Sequence, residues 1–286
     1  MTCRALPKGT ADDRLLIEPL REAGLGAVFV SWDDRRTDWG AFQAVVLRSA
    51  WDYHVRTSRF LQWVEGCSAA GGRLWNPPAV IRWNHHKRYL RTLEERGVSV
   101  VPTEWLARGS DPDLADVVRR RGWSRAVLKP AVSASARRTR IVGGDVTEAD
   151  RRALRASLRA ADVMLQPFLE RVTHEGEWSL VFLGGRFSHA VLKRPAPGDF
   201  RVQESFGGTS LPVSPPAALV ESARRALEVV DGDLLYARVD GVRDSDGLRV
   251  IELELIEPSL FLSHDGGAPA RFVEALSARI RGPGGG

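Results

Sequence analysis

Cysteine is nearly absent: Cys3 and Cys67 are the sole two in 286 residues, too few for a disulfide framework or a thiolate zinc site. Long apolar runs are missing as well. Hydrophobic residues make up 43% of the chain, yet no stretch approaches the roughly 20 residues a membrane span requires. Residues 1–7 also lack the apolar core of a secretory signal, so the cytoplasm is the expected compartment and no membrane partner is expected. Neither sign of charge dominates: 41 Lys and Arg stand against 36 Asp and Glu and the net charge is +5, so no nucleic-acid partner is expected. Lysine is the scarcest base, with four (Lys8, Lys87, Lys129 and Lys193) among 41 basic residues. A chain that writes Arg so freely keeps Lys where a compact point charge is needed, and phosphate oxygens are a common target. Lys87, Lys129 and Lys193 are therefore the first candidates for a nucleotide triphosphate site; the alternative is that a few surface lysines simply survived.

The chain is long enough to bury a sizeable core and to hold two or three subdomains. Asp12 and Asp13 are placed to cap a helix carrying Leu15, Leu16 and Leu20, and residues 27–32 read as a buried strand. Residues 42–47 give a second strand that runs into the polar segment 48–53, Phe60, Leu61 and Val64 mark a helical face, and residues 73–75 give a third strand. Strand, helix, strand predicts a small parallel α/β domain over residues 1–79, with ligands at the carboxyl ends of its strands, where residues 48–53 fall. A helix over 83–96 follows, carrying Lys87 and capped by Asn84, then strands over 102–106, 125–130 and 139–142 with helices over 111–121 and 147–160. The remainder predicts a strand over 163–168 and a hairpin of 177–183 with 186–194 about Gly184-Gly185. A helix over 215–230, strands over 234–242 and 248–257 and a closing helix over 269–281 complete it. Antiparallel strands with helices to one side make this larger part α+β.

The sharpest chemical constellation is Glu252-Leu253-Glu254-Leu255-Ile256-Glu257-Pro258. In a strand Glu252 and Glu254 share one face while Ile251, Leu253 and Leu255 face the core. With Ser245-Asp246-Gly247 as a three-residue hairpin loop, Asp244 pairs with Leu248, and Asp240 falls opposite Glu252. Three gathered carboxylates suit Mg²⁺ or Mn²⁺; the competing reading is a solvated face neutralised by Arg238 and Arg249. Lys129 ends an apolar strand before a loop of small residues, 131–136, where Ser133 and Ser135 could help cradle a phosphate. A plain hairpin connection is the alternative there. Lys193, Arg194 and Arg201 add cationic groups suited to phosphoryl chemistry, or else ordinary surface charge.

Taken in order, a lysine on a helix, a strand lysine before a small-residue loop, a hinge strand (Met164-Leu165-Gln166-Pro167-Phe168-Leu169-Glu170) and a terminal acidic strand pair resemble the ATP-grasp superfamily. Further motifs, Arg48-Ser49-Ala50-Trp51-Asp52-Tyr53, Trp75-Asn76-Pro77, Gly198-Asp199-Phe200-Arg201 and the 252–258 segment, are similar to its glutathione-synthetase-like branch, which includes the O-ureido-D-serine cyclo-ligases. The resemblance implies two α+β lobes (80–165 and 166–286) enclosing ATP behind the N-terminal α/β domain. It implies that Lys87 and Lys129, with Ser133 and Ser135, meet phosphates, that Gln166, Pro167, Phe168 and Leu169 hold adenine, and that Glu170 takes the ribose. Asp240, Glu252 and Glu254 would hold magnesium or manganese, although Glu254 stands where many relatives have Asn, leaving Glu254 and Glu257 as alternatives. The implied activity is an ATP-dependent carbon–nitrogen ligase acting on a small carboxylate or amino-acid-like substrate, as a homodimer. Arg194, Arg201 and Lys193 would serve the γ-phosphate and acyl phosphate, and Arg48, Ser49, Trp51, Asp52 and Glu257 the substrate side. A nucleotide-binding module without turnover and a kinase on the same scaffold are the rival functions.

Overall fold

A computed structural model describes residues 1–133 and 139–282. At the N-terminal end β1 (Val45–Val46) and β2 (Leu74–Trp75) pair in parallel. The helix Thr57–Ala69 connects them and buries Phe60, Val64 and Cys67, spaced to share one helical face. Strand, helix, strand is thus present, with shorter strands than predicted. Residues 27–32 form no strand: hydrogen bonds with Thr2 give an isolated bridge, and Val28 is 65% exposed.

Four strands, β3 (Glu104–Leu106), β4 (Arg125–Pro130), β5 (Arg140–Gly143) and β6 (Val163–Pro167), form an antiparallel sheet in the order β3-β6-β4-β5. The helices Leu114–Arg120 and Glu148–Ala160 bury Leu114, Val117, Leu154 and Leu158 against Leu128, Val142 and Leu165 of this sheet. Thr147 caps the second helix through reciprocal bonds with Asp150. The second antiparallel sheet holds β7 (Glu177–Leu183), β8 (Arg186–Arg194), β9 (Thr209–Val213), β10 (Tyr236–Asp244) and β11 (Gly247–Glu254), in the order β11-β10-β7-β8-β9. Helices cover both faces of it, not one as predicted. Leu180 and Phe182 join the helix Ala217–Glu228 in one core, whereas Val181 and Leu183 join the helix Ala268–Arg281 in another. Successive strand residues point to opposite sides, so a strand buried throughout feeds two cores. Strand β9 escapes sequence reading because it is a mostly exposed edge strand interrupted by Pro212.

The single helix predicted over 83–96 is two, Pro78–Asn84 and Tyr89–Glu95. Lys87 therefore lies in the intervening turn, which is tied to the end of β4 by the Lys87 amide donating to the Ala131 carbonyl at 2.9 Å. Asn84 is no N-cap. Its buried amide donates to the Leu253 carbonyl at 2.8 Å and accepts from the Leu255 amide at 3.0 Å. The Tyr89 hydroxyl accepts from the Leu253 amide, and Val250 exchanges backbone bonds with Ser99 and Val101. Strand β11 is the outer strand of its sheet, and these groups satisfy an edge that would otherwise be unpaired. The same segment contributes Val80, Tyr89, Leu90 and Leu93 to the core of the five-stranded sheet, so residues 80–101 pack there although they precede the four-stranded sheet.

Asn76 ties the N-terminal end to β10 and β11. Its fully buried amide donates to the Tyr236 and Leu255 carbonyls at 2.9 and 2.7 Å and accepts from the Leu235 amide at 2.8 Å. Asn76→Ala would strand three buried backbone groups, and a loss of about 3 kcal/mol or more in unfolding free energy is expected, read by urea denaturation.

Candidate active site

The site is built on the hairpin of β10 and β11. Its turn holds two residues, Ser245 and Asp246, so Asp244 pairs with Gly247 and Arg243 with Leu248, not Asp244 with Leu248 as predicted. A bulge then leaves Ile251 out of register: Gly241 pairs with Val250, and Asp240 with Glu252. The two one-residue differences cancel, and Asp240 stands opposite Glu252 after all. A side chain at Gly241 would meet the Arg249 carbonyl at 2.5 Å, which fits glycine at this crowded bulge. The bulge also switches which parity faces inward. Leu248 and Val250 before it and Leu253 and Leu255 after it enter one core, while Ile251, predicted for that core, lines a cavity with Glu252 and Glu254.

This cavity, of about 630 Å³, draws its walls from every part of the fold. Lys193 and Asp240 face it with Arg238 and Glu177. The Arg238 guanidinium donates to both Asp240 oxygens at 2.9 Å and to Glu254, Lys193 Nζ lies 2.5 Å from Glu177 and 3.2 Å from Asp240, and the Ser179 hydroxyl donates to Asp240 at 2.5 Å. Burial alone would raise the Asp240 pKa, but Arg238 and Lys193 hold its carboxyl well below the usual range. Burial works against the charge of Lys87 too, yet Glu252, reached at 2.5 Å, raises its pKa. Lys87 also donates to the Ser133 carbonyl at 3.3 Å.

Among the described residues Lys129 has no such partner, and burial lowers its pKa to about 8, with Glu252 opposing and nearby Lys87 assisting. Burial pushes Glu254 up; Arg238 pulls the other way, Glu252 and Asp240 push further, and the carboxyl reaches about 7. Glu257 is raised well above the usual carboxyl range by burial and then by Glu254.

Gln166, Pro167, Phe168 and Leu169 line the cavity as expected of a hinge, and Ser133 does too, while Ser135 lies outside the described residues. Several expected residues are elsewhere. Glu170 does not line the cavity; its carboxylate pairs with Arg125, whose guanidinium also stacks over Phe168 at 3.9 Å. Arg194 is exposed and donates to the Glu175 carbonyl, because neighbours on β8 point to opposite faces and Lys193 takes the inner one. Arg201 does line the cavity, held by Asp199 at 2.7 Å and stacked on Phe206 at 3.7 Å.

On the substrate side only part of the expected wall forms. Trp51 and Tyr53 line the cavity with Glu257, and the Trp51 indole donates to the Glu257 carbonyl at 3.0 Å. Arg48 is buried in an ion pair with Asp13 at 3.1 Å, Ser49 is fully buried, and Asp52 accepts from the Trp32 indole and pairs with Arg56. None of those three reaches the cavity lining, so Arg48, Ser49 and Asp52 are corrected to structural residues. Arg249 likewise pairs with Asp244, away from the acids it was expected to neutralise. Sequence reading met Glu177 and Gln203 only within motifs of the resemblance and gave neither a role, although β7 is the strand beside Asp240 and Glu177 shares the face of Ser179. Gln203 is a wall residue whose amide oxygen is buried with no hydrogen-bond partner among the described residues.

The expected metal set of three carboxylates is not present. Both Asp240 oxygens are occupied by Arg238, Lys193 and Ser179, and among the described residues no three ligating side chains gather. Glu252 and Glu254 do fit magnesium, which needs only one or two carboxylates beside phosphate oxygens and water.

Residues 1–76 match the family described as D-cycloserine synthetase DcsG, N-terminal domain. Over 281 residues the chain is 34% identical to cycloserine biosynthesis protein DcsG of Streptomyces lavendulae, covering 93% of each protein. The crystal structure of D-cycloserine synthetase DcsG superposes with a TM-score of 0.87 at 32% identity, covering 98% of both chains. The chain belongs to the DcsG family of ATP-grasp ligases. At 18% identity and a TM-score of 0.63, the ATP-grasp ligase PsnB, solved with minimal precursor, Mg and ADP, shares the fold over 97% of each chain. The α+β ATP-grasp architecture and an ATP-dependent ligase activity follow, which sets aside a nucleotide-binding module without turnover. No helix among the described residues is long and apolar enough to cross a membrane.

Asp240→Asn and Glu252→Gln separate charge pairing from metal binding. The first breaks a buried ion cluster and is expected to cost about 3–5 kcal/mol of stability, with no change in the magnesium concentration that half-saturates ADP release. The second, at a carboxylate that fits magnesium, is expected to raise that concentration about 10–100-fold, the scale for loss of a metal-supporting group.

Proposed function

We propose that the cavity binds ATP and magnesium beside a small amino-acid carboxylate and joins that carboxylate to a nitrogen nucleophile of the same molecule, as in the closure of O-ureido-D-serine toward D-cycloserine. The observation that carries this reading is the meeting of Lys87 and Lys129, from separate elements, with Glu252 and Glu254 on one wall. In this division residues 1–79 form the substrate-side unit, and 80–165 and 166–286 the two ATP-binding lobes.

Lys129 and Lys87 hold the phosphates, the 166–169 strand end takes the adenine through backbone groups, and Glu252 and Glu254 hold the metal. Magnesium held by Glu252 and Glu254 would supply positive charge against the phosphates. The substrate carboxylate attacks that phosphorus, the bond to the β-phosphate oxygen breaks, and ADP leaves. The nitrogen then attacks the acyl phosphate, phosphate departs and the nitrogen's proton passes to water. Arg201, stacked on Phe206, is placed to meet charge developing on the transferred group, so positioning and fixed charge supply the rate. Drawing acid and nucleophile from one molecule removes the entropy of bringing them together.

Lys129→Ala is expected to lower magnesium-dependent ADP release about 100-fold or more, the scale for removing one fixed charge-stabilising donor. Its pH behaviour has a defined sign. The ammonium form that meets phosphate is complete below the pKa of about 8, so ATP affinity should hold below that pH and fall by at most about tenfold per unit above it. Lys129→Arg, charged at every accessible pH, should abolish this fall in an ATP-binding titration. A stable phosphorylated product in place of free phosphate would favour a kinase and overturn the reading.

A further inference from the structure

When opposite charges on the cavity wall are paired, two groups remain. Lys193 is matched by Glu177 and Asp240, Arg238 by Asp240 and Glu254, Lys87 by Glu252, and Arg201 by Asp199. Lys129 and Glu257, both half-buried, are the described wall residues whose ammonium or carboxylate has no opposite charge at ion-pair distance, apart from the solvent-exposed Glu204. Phosphate answers Lys129. It cannot answer Glu257, which an anion would only repel.

The position of Glu257 narrows what can. It lies three residues past Glu254, beyond the end of β11, so it does not share the face on which Glu252 and Glu254 stand. Its carbonyl is held by the Trp51 indole at 3.0 Å, and its charge is the foremost electrostatic influence on the Tyr53 hydroxyl. Glu257 thus stands where residues of the N-terminal unit, Trp51 and Tyr53, line the cavity, within the electrostatic reach of Glu254, Lys87 and Glu252 but on a different face of the chain. A half-buried carboxyl there is ionised and satisfied when a cation arrives with the substrate.

We infer that Glu257 receives the α-ammonium of the substrate against Trp51 and Tyr53, making the site selective for zwitterionic amino acids over carboxylic acids of the same shape. This rests on the ligase reading above and assigns the specificity of its substrate end.

The test compares wild type, Glu257→Gln and Glu257→Asp on O-ureido-D-serine and on its desamino analogue, following ADP release at saturating ATP and magnesium. A site built around a charged hydrogen bond rejects the analogue lacking it strongly, so wild type should prefer the amino acid by about 100-fold or more in kcat/KM. In Glu257→Gln that preference should collapse to within a few-fold through a raised KM for the amino acid, with the KM for ATP and the half-saturating magnesium unchanged. Glu257→Asp, which keeps the charge on a shorter arm, should recover part of the preference. Undiminished preference in Glu257→Gln would overturn the assignment, and so would a raised magnesium requirement with the preference intact, which would make Glu257 a metal ligand. Absence of ADP release by wild type with both compounds would instead remove the ligase reading, and this assignment with it.

Discussion

A buried charge costs several kcal/mol unless an opposite charge or strong hydrogen bonds answer it, and the wall carrying Glu177, Asp240, Glu252, Glu254, Lys87, Lys193 and Arg238 is arranged around that constraint. On this wall acids neutralise Lys87, Lys193 and Arg238, but not Lys129. Lys87 is held at 2.5 Å by Glu252, one of the carboxylates proposed for magnesium, so the group that would meet phosphate and the group that would meet metal occupy each other. On the proposed reading, phosphate would free Glu252 for the metal, and the metal would free Lys87 for the phosphate. Coupling of this kind is reciprocal, and it favours the magnesium–nucleotide complex over either component alone.

The wall keeps its shape because its deepest part has no such exchange to make. Arg238 and Asp240 on β10, Ser179 on β7 and Lys193 on β8 are joined across three adjacent strands, and together they fill both oxygens of Asp240. Fixed groups of this kind need not reorganise as charge moves during phosphoryl transfer. On the outer side, Asn84 and Tyr89 pair with the free edge of β11 and so set the turn bearing Lys87 beside Glu252. Satisfying an edge strand and assembling the site are the same structural act.

Turn chemistry at Gly184 and Gly185 was enough to delimit the β7–β8 hairpin from sequence, although a bulge at Ser188, where Val181 pairs with His189 and Phe182 with Phe187, was not foreseen. Register at a distance was less legible. Asp240 opposite Glu252 was reached through a loop one residue too long and a bulge not foreseen, and nothing in the local pattern marks Ile251 as the extra residue. The break at Lys87 was hidden for a related reason: residues 83–96 are helical in composition, and the turn is imposed by tertiary bonds to Ala131 and β11. Arg48 and Asp52 read as functional because buried ion pairs and binding residues use the same side chains. Exposure to a cavity, which sequence does not record, is what separates them.

The scarcity of lysine was the strongest sequence signal, and geometry explains why it was informative. Lys87, Lys129 and Lys193 all line the cavity, and Lys8 is exposed. At position 193 one compact ammonium must reach carboxylates from two different strands, 2.5 and 3.2 Å away. A planar guanidinium presents its donors in a fixed fork, and where one carboxylate is to be gripped by both prongs the chain uses it, as Arg238 does on Asp240. The choice between the two bases therefore follows the shape of the partner. At position 129 the partner is proposed to be a phosphate, where a point charge on a flexible stem can follow the phosphorus as its oxygens redistribute charge, and a rigid fork would fix one arrangement in advance.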